Sequence, residues 1–280
     1  TICCFAGAKV LVLFQLSKFY RIYFLPHYIF CIFVLGKSFM ITKTRGIVLR
    51  SVRFGESSLI IDVLTELSGR VSFVVHIPKT SKGRVKKQYF QPMTLLDFEY
   101  DFRQRISLQH IKDVRIAQPY SSVPYNPLKS SILLFLAEFL YYTTRDEQEN
   151  STLFNYISTS LEWFDSTCDG FANFHLVFMM RLGKFLGFHP FLDNFTQGCF
   201  FDLRNGCFTL SAPLHSDFLN ATDARHMHTL MRMNFETMKV FRLSHDERNR
   251  ITELVLHYYR LHIPNMPDLQ SFDILREVFS

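Results

Sequence analysis

Between residues 44 and 117 the chain alternates apolar and polar positions with a period of two in five runs: 44–51 (TRGIVLRS), 57–65 (SSLIIDVLT), 70–76 (RVSFVVH), 92–101 (PMTLLDFEYD) and 106–117 (ISLQHIKDVRIA). Each run is enriched in β-branched or aromatic residues. Turn chemistry separates them, as at Phe54-Gly55-Glu56 and Ser68-Gly69-Arg70, so the pattern predicts five short strands. Five strands closing on themselves match an OB-type barrel, a fold whose exposed sheet face and loops hold single-stranded nucleic acid. In the fourth run Asp97, Glu99 and Asp101 alternate with Leu96, Phe98, Tyr100 and Phe102, which reads as a solvent face opposite a core face.

After Pro119 the period changes to 3.6. Leu128, Ile132, Leu136, Phe139 and Leu140 mark one face of a helix over 127–144. Leu153, Ile157, Leu161 and Phe164 mark a second helix, and Phe171, Phe174, Phe178, Leu182 and Phe185 a third. The run CFFDLRNGCFTL, with Asn205-Gly206 at its turn, predicts a hairpin. Ser244 followed three residues later by Glu247 is a capping-box signature before Ile251, Leu254, Val255 and Tyr258, and a short helix is expected over 271–278. The fold class expected is therefore α+β, with a five-stranded OB-type barrel over 40–118 and a mainly helical domain with a small hairpin insertion over 119–280.

Charge sharpens this picture. Residues 40–118 hold fourteen Lys and Arg against seven Asp and Glu, whereas 119–280 hold thirteen against eighteen. Such a split points to a polyanion-binding part joined to something else. Its densest stretch is Lys79, Lys82, Arg84, Lys86 and Lys87, between the third and fourth runs, with no acidic residue between His76 and Leu96. Read alone, such a run is a solvated loop; on a five-stranded barrel it points at phosphate. Lys43, Arg45, Arg50, Arg53 and Arg70 are the further DNA-binding candidates. Tyr89 and Phe90, next to the basic run, are the candidates for base stacking, with core packing the alternative for Phe90.

Residues 1–39 carry only positive charges and are otherwise apolar. Their longest uncharged stretch, 22–36, is shorter than the ~20 residues of a spanning helix and contains Pro26 and His27. Leu35-Gly36-Lys37-Ser38-Phe39-Met40 is a poor match to the small-residue cleavage site of a signal peptide. The expectation is an upstream in-frame translation joined to a start at Met40, outside the native fold, with a membrane or interfacial segment as the alternative. Beyond it, Cys168, Cys199 and Cys207 form no disulfide framework, which favours a reducing, cytoplasmic setting.

Motifs of catalysis are missing from the sequence. It contains no Gly-x-x-x-x-Gly-Lys loop, no His-Glu-x-x-His and no Gly-x-Ser-x-Gly. Ser244-His245-Asp246 has the letters of a triad, but consecutive residues at a helix cap cannot converge as one. The expectation is a non-enzymatic protein without a cofactor, with an OB-type RNA-binding module or a membrane-attached interaction protein as the alternatives.

Thr44-Arg45-Gly46-Ile47-Val48-Leu49-Arg50, Gly55-Glu56-Ser57-Ser58-Leu59-Ile60, Leu64-Thr65 and Gly69-Arg70-Val71-Ser72-Phe73-Val74 resemble the opening of the RecO family of bacterial recombination and repair proteins. The resemblance continues through Gln91-Pro92 and the third helix, where residues 182–190 (LGKFLGFHP) are similar to the family's leucine-rich helix ending in Gly, an aromatic and Pro. It covers 40–280 and leaves 1–39 without a counterpart. It implies an OB barrel followed by a helical domain. The implied activities are binding of single- and double-stranded DNA, annealing of complementary strands, and loading of the recombinase RecA together with RecR and the single-stranded-DNA-binding protein. It also implies contact with that protein's acidic, Phe-ended tail, for which Arg181 and Lys184, beside Phe178, Leu182 and Phe185, are the candidates. Many members carry two Cys-x-x-Cys pairs that bind zinc; here only Cys199 and Cys207 remain in that region, so no metal is expected.

Overall fold

The alternating runs become five strands that close into a barrel in the order β1-β2-β3-β5-β4: β1 (Met40–Phe54), β2 (Ser58–Thr65), β3 (Gly69–His76), β4 (Leu95–Phe102) and β5 (Leu108–Ile116). The structure, a computed structural model, describes residues 40–78, 85–103 and 106–278. Neighbouring strands run antiparallel except β3 and β5, which pair in parallel from Ser72↔Leu108 to Val74↔His110. Val48 and Thr94 close the barrel between β1 and β4 through the Val48 N–H to the Thr94 carbonyl, 3.0 Å.

Inside it, Phe73 meets Phe98 and Tyr100 edge-on at 5.2 and 5.1 Å, each such contact adding about 1 kcal/mol to the burial itself. Gly46 makes room for this packing. A Cβ there would lie 2.5 Å from Val63 and 2.7 Å from the Phe98 ring. The acidic side of β4 is met by cations, Asp97 by Arg115, Glu99 by Lys43 and Asp101 by Lys112.

β1 departs from simple alternation, because Ile47, Val48 and Leu49 are all buried. Val48 faces the barrel interior with Ile61, Val63 and Leu96, while Ile47 and Leu49, with Leu64, Met93 and Leu95, join the core built by the helices. A register shift between Val48 and Arg50 accommodates this.

The helical part comprises α1 (Pro127–Thr143), α2 (Ser151–Ser166), α3 (Phe174–Leu186), α4 (Ala221–Arg232), α5 (His245–His262) and α6 (Gln270–Val278). Caps fix their starts: Asn126 accepts from the Lys129 N–H, Asn150 from the Leu153 N–H, and Ser244 with Glu247 forms both halves of the capping box. Phe171 precedes α3 in a single 3-10 turn rather than in the helix.

Leu128 is only half-buried, and the residue that α1 buries in its place is Lys129, 1% exposed. Its Nζ donates to Ser122 Oγ at 2.7 Å and to the carbonyls of Phe164 (2.8 Å), Asp165 (3.1 Å) and Thr167 (2.5 Å). A cation here satisfies the open carbonyls at the end of α2 and complements its dipole, which no apolar residue could do. The Asp165 carboxylate holds the segment entering α1, accepting from the Ser121, Ser122 and Val123 N–H groups at 2.7–3.0 Å.

The predicted hairpin is present as β6 (Phe200–Asp202) and β7 (Cys207–Thr209), turning through Gly206, and β8 (Phe218–Leu219) adds a third short strand. Among the described residues no helix is long and apolar enough to cross a membrane; the expectations for residues 1–39 lie outside them.

Candidate nucleic-acid interface

Strand direction gathers the hairpin joining β1 to β2, the end of β3 and the start of β4 at one end of the barrel. There Phe54 pairs with Ser58 and Ser58 with His76, and the Ile77 N–H donates to the Ser57 carbonyl at 2.7 Å. Arg53 and Phe54 are exposed on this hairpin. Lys79, Lys82 and Arg84 lie outside the described residues. Lys86 and Lys87, where the description resumes, are exposed at the start of the 3-10 turn Lys87–Phe90.

That turn separates the two stacking candidates. Phe90 is 1% exposed inside the barrel core, so both its faces are spent on packing and the stacking expectation does not hold for it. Tyr89 is half-buried against the same core, with part of its surface open to solvent.

The remaining basic candidates divide by partner. Among the described residues the side chains of Arg53, Lys86 and Lys87 have neither a hydrogen-bond nor an ion-pair partner. Lys43 lies 2.7 Å from Glu99, whose hydrogen bond and charge raise the pKa of the ammonium. Arg45 donates to both Glu66 oxygens at 2.9 and 2.8 Å and to Asn155 of α2 at 3.2 Å, with its guanidinium over the Phe154 ring. Arg50 donates to the Tyr141 hydroxyl at 3.0 Å, and Arg70 to the Tyr141 carbonyl at 2.7 Å. Burial of Arg70 lowers its pKa against the opposing pull of Asp62. Arg45, Arg50 and Arg70 thus link the barrel to the helices, and of the three only Arg50 is exposed.

Sequence reasoning passed over Tyr141 and Tyr142, whose signal was a Tyr-Tyr pair at the end of an apolar helix just before Arg145.

Arg181 is half-buried with its guanidinium over the Phe235 ring, and Lys184 is exposed. Phe178 and Leu182 beside them are fully buried, and Phe185 stacks on Tyr156, so this stripe is core. A groove of about 770 Å³ instead runs between α4, α5 and α6, floored by Leu219, Leu254 and Phe272 and edged by Arg250, Arg260 and Arg276.

The hairpin region has no metal-ligand geometry among the described residues, where no three His, Cys, Asp or Glu side chains converge. Cys199 is buried and Cys207 half-buried, and the turn is organised by Asp202. Its carboxylate accepts from the Arg204 and Asn205 N–H groups at 2.9 and 3.1 Å and from the Asn205 amide at 2.7 Å.

Residues 40–120 match the family profile described as Recombination protein O N terminal, and residues 124–270 match Recombination protein O C terminal. The chain is 46% identical over 241 residues to the DNA repair protein RecO of Phocaeicola vulgatus and 47% identical over 241 residues to that of Bacteroides fragilis. Each alignment covers 86% of this chain and 100% of the relative. The DNA repair protein RecO of Porphyromonas gingivalis is 32% identical over 246 residues, 86% of this chain and 100% of the relative.

Proposed function

Because the chain belongs to the recombination protein O family, we propose that it acts in DNA repair and recombination by binding single- and double-stranded DNA and annealing complementary strands. It does so without bond-making chemistry. Together with RecR and the single-stranded-DNA-binding protein it helps to load the recombinase RecA. The observation that carries the reading is the set of exposed cations whose side chains have no partner among the described residues, Arg53, Lys86 and Lys87, at the barrel end where β3 ends and the Lys87–Phe90 turn leads into β4. Exposed cations without carboxylate partners keep their full charge for phosphate.

Annealing needs two polyanions held close without their bases being gripped. Neutralising phosphates removes the repulsion between strands, and sparse aromatic contacts, Tyr89 among them, leave the bases free to pair. The remaining basic run, Lys79, Lys82 and Arg84, supplies further charge.

The test is annealing of protein-free complementary oligonucleotides, followed by binding of the same strands as DNA and as RNA across a salt series. Accelerated annealing with DNA binding supports the reading. Binding of RNA alone, without annealing, would replace it with an RNA-binding module.

A further inference from the structure

On the outer face of the barrel, Arg50 of β1 pairs with Asp62 of β2, and Asp62 with Ser72 of β3. Alternation puts Val52 and Phe54 on the same face as Arg50, and Arg70 on the same face as Ser72. Val52 is 42% and Phe54 57% exposed, so an open apolar strip runs about 13 Å along β1 from the hairpin tip to Arg50.

The strip ends at the last turn of α1. The Arg70 and Arg50 guanidinium carbons lie 4.3 and 5.0 Å from the centroid of one ring, that of Tyr141. Tyr142 stands edge-on to Tyr141 at 5.0 Å, and the Arg145 guanidinium lies over its ring. The ion-pair partner among these arginines is Asp62, 3.8 Å from Arg70, whose carboxylate also accepts the Ser72 hydroxyl. The buried Arg70 Nε has no acceptor among the described residues.

Two guanidiniums over one ring repel each other, and a single carboxylate does not balance them. Planar guanidinium forks match phosphate oxygens, and an anion laid against them relieves the repulsion.

We propose that Arg50, Arg70 and Tyr141 form a second phosphodiester-binding site, so that a strand engaged at the hairpin end of the barrel continues across Phe54 and Val52 onto the last turn of α1. Arg50, exposed at the end of the strip, contacts the phosphate, while Arg70, held behind it by Asp62 and the Tyr141 carbonyl, adds positive charge to the site. Tyr141 is the positioning residue, its ring and hydroxyl holding Arg50 over the strip. Phe54, at the other end, takes a base on its exposed face. This site rests on the nucleic-acid reading above and extends it from the barrel to the helical part.

The experiment is binding of the full chain to a fluorescein-labelled oligothymidylate over a salt series, with thermal melting to verify folding. Arg50→Ala is expected to lower the slope of log affinity against log salt by about 0.7, one phosphate contact on a single strand. Tyr141→Leu lowers it likewise, while Tyr141→Phe, which keeps the ring, retains most of it. Phe54→Ala weakens binding about tenfold at every salt concentration and leaves the slope unchanged, as loss of stacking should. Wild-type slopes for folded Arg50→Ala and Tyr141→Leu, with a lowered slope for Lys86→Ala/Lys87→Ala, would overturn this site and leave the barrel-end reading intact. Wild-type slopes for all of these variants would overturn both.

Discussion

The Arg45 guanidinium and the Glu66 carboxylate form a two-pronged pair, Nε to Oε2 at 2.9 Å and Nη2 to Oε1 at 2.8 Å. Arg45 also reaches Asn155 on α2, so the pair secures the β2–β3 hairpin side of the barrel to the helices. The hydrogen bonds and charge of Arg45 hold the Glu66 carboxyl below its usual pKa, and Glu66 in turn raises that of Arg45. Arg45→Ala is expected to destabilise the fold by about 1 kcal/mol, the upper range for a partly exposed ion pair, as read from chemical denaturation. The same variant should leave the salt dependence of DNA binding unchanged, because its guanidinium is already committed.

Replacing Lys82, Arg84, Lys86 and Lys87 together by Ala should weaken DNA binding and flatten its salt dependence. If all four meet phosphates of one strand, the log-log slope falls by roughly 3. An unchanged slope in a folded variant moves the site away from the basic run.

Asp165 makes stability depend on pH in a defined direction. Burial alone would raise its pKa, but the N–H groups of Ser121, Val123 and Ser122 outweigh burial and hold it well below the usual carboxylate range. A folded-state pKa below the unfolded one gives stability that is present above the unfolded value, about 3.9, and lost as pH falls toward the folded value. Asp165→Asn is therefore expected to cost about 2 kcal/mol at pH 7 and to flatten the loss of stability below pH 4, both measured by denaturation at a series of pH values.

For the acidic, Phe-ended tail that the family resemblance implies, the groove between α4, α5 and α6 offers an apolar floor, and the tail's carboxylates would have to displace those already paired with its edge arginines, Asp223 at Arg250, Asp268 at Arg260 and Glu253 at Arg276. A fluorescent tail peptide is expected to lose affinity at least about tenfold on Arg276→Ala, as loss of one charge-assisted contact would give. Arg181→Ala/Lys184→Ala should bind as wild type. The reverse ranking returns the site to α3.

Much of this architecture was legible because local rules and global fold agree. The five strands, the capping box at Ser244 and the Asn205-Gly206 hairpin each follow from short-range chemistry that the tertiary structure reinforces. α4 was not anticipated. Its sequence, ATDARHMHTLMR, buries Ala224, Met227 and Leu230, three small or flexible apolar residues among polar ones, and its clearest signal was the Asn220 cap. Lys129 was illegible for a different reason: what it satisfies is a set of carbonyls some thirty-five residues away, at the end of another helix. The same holds for the basic candidates. Sequence finds cations, but whether a cation is neutralised by Glu66, laid against the Tyr141 ring, or left without a side-chain partner as at Arg53, is decided by long-range contacts.

Ile47, Leu49, Leu64, Met93 and Leu95 have their cover on the far side of the barrel wall, in helices made later in synthesis. A nascent chain that has completed β5 has every strand of the barrel and still lacks the surface that shields these five side chains. Until the helices that share this core have left the ribosome, these side chains lack the cover they have in the finished chain, and arrival of those helices supplies it.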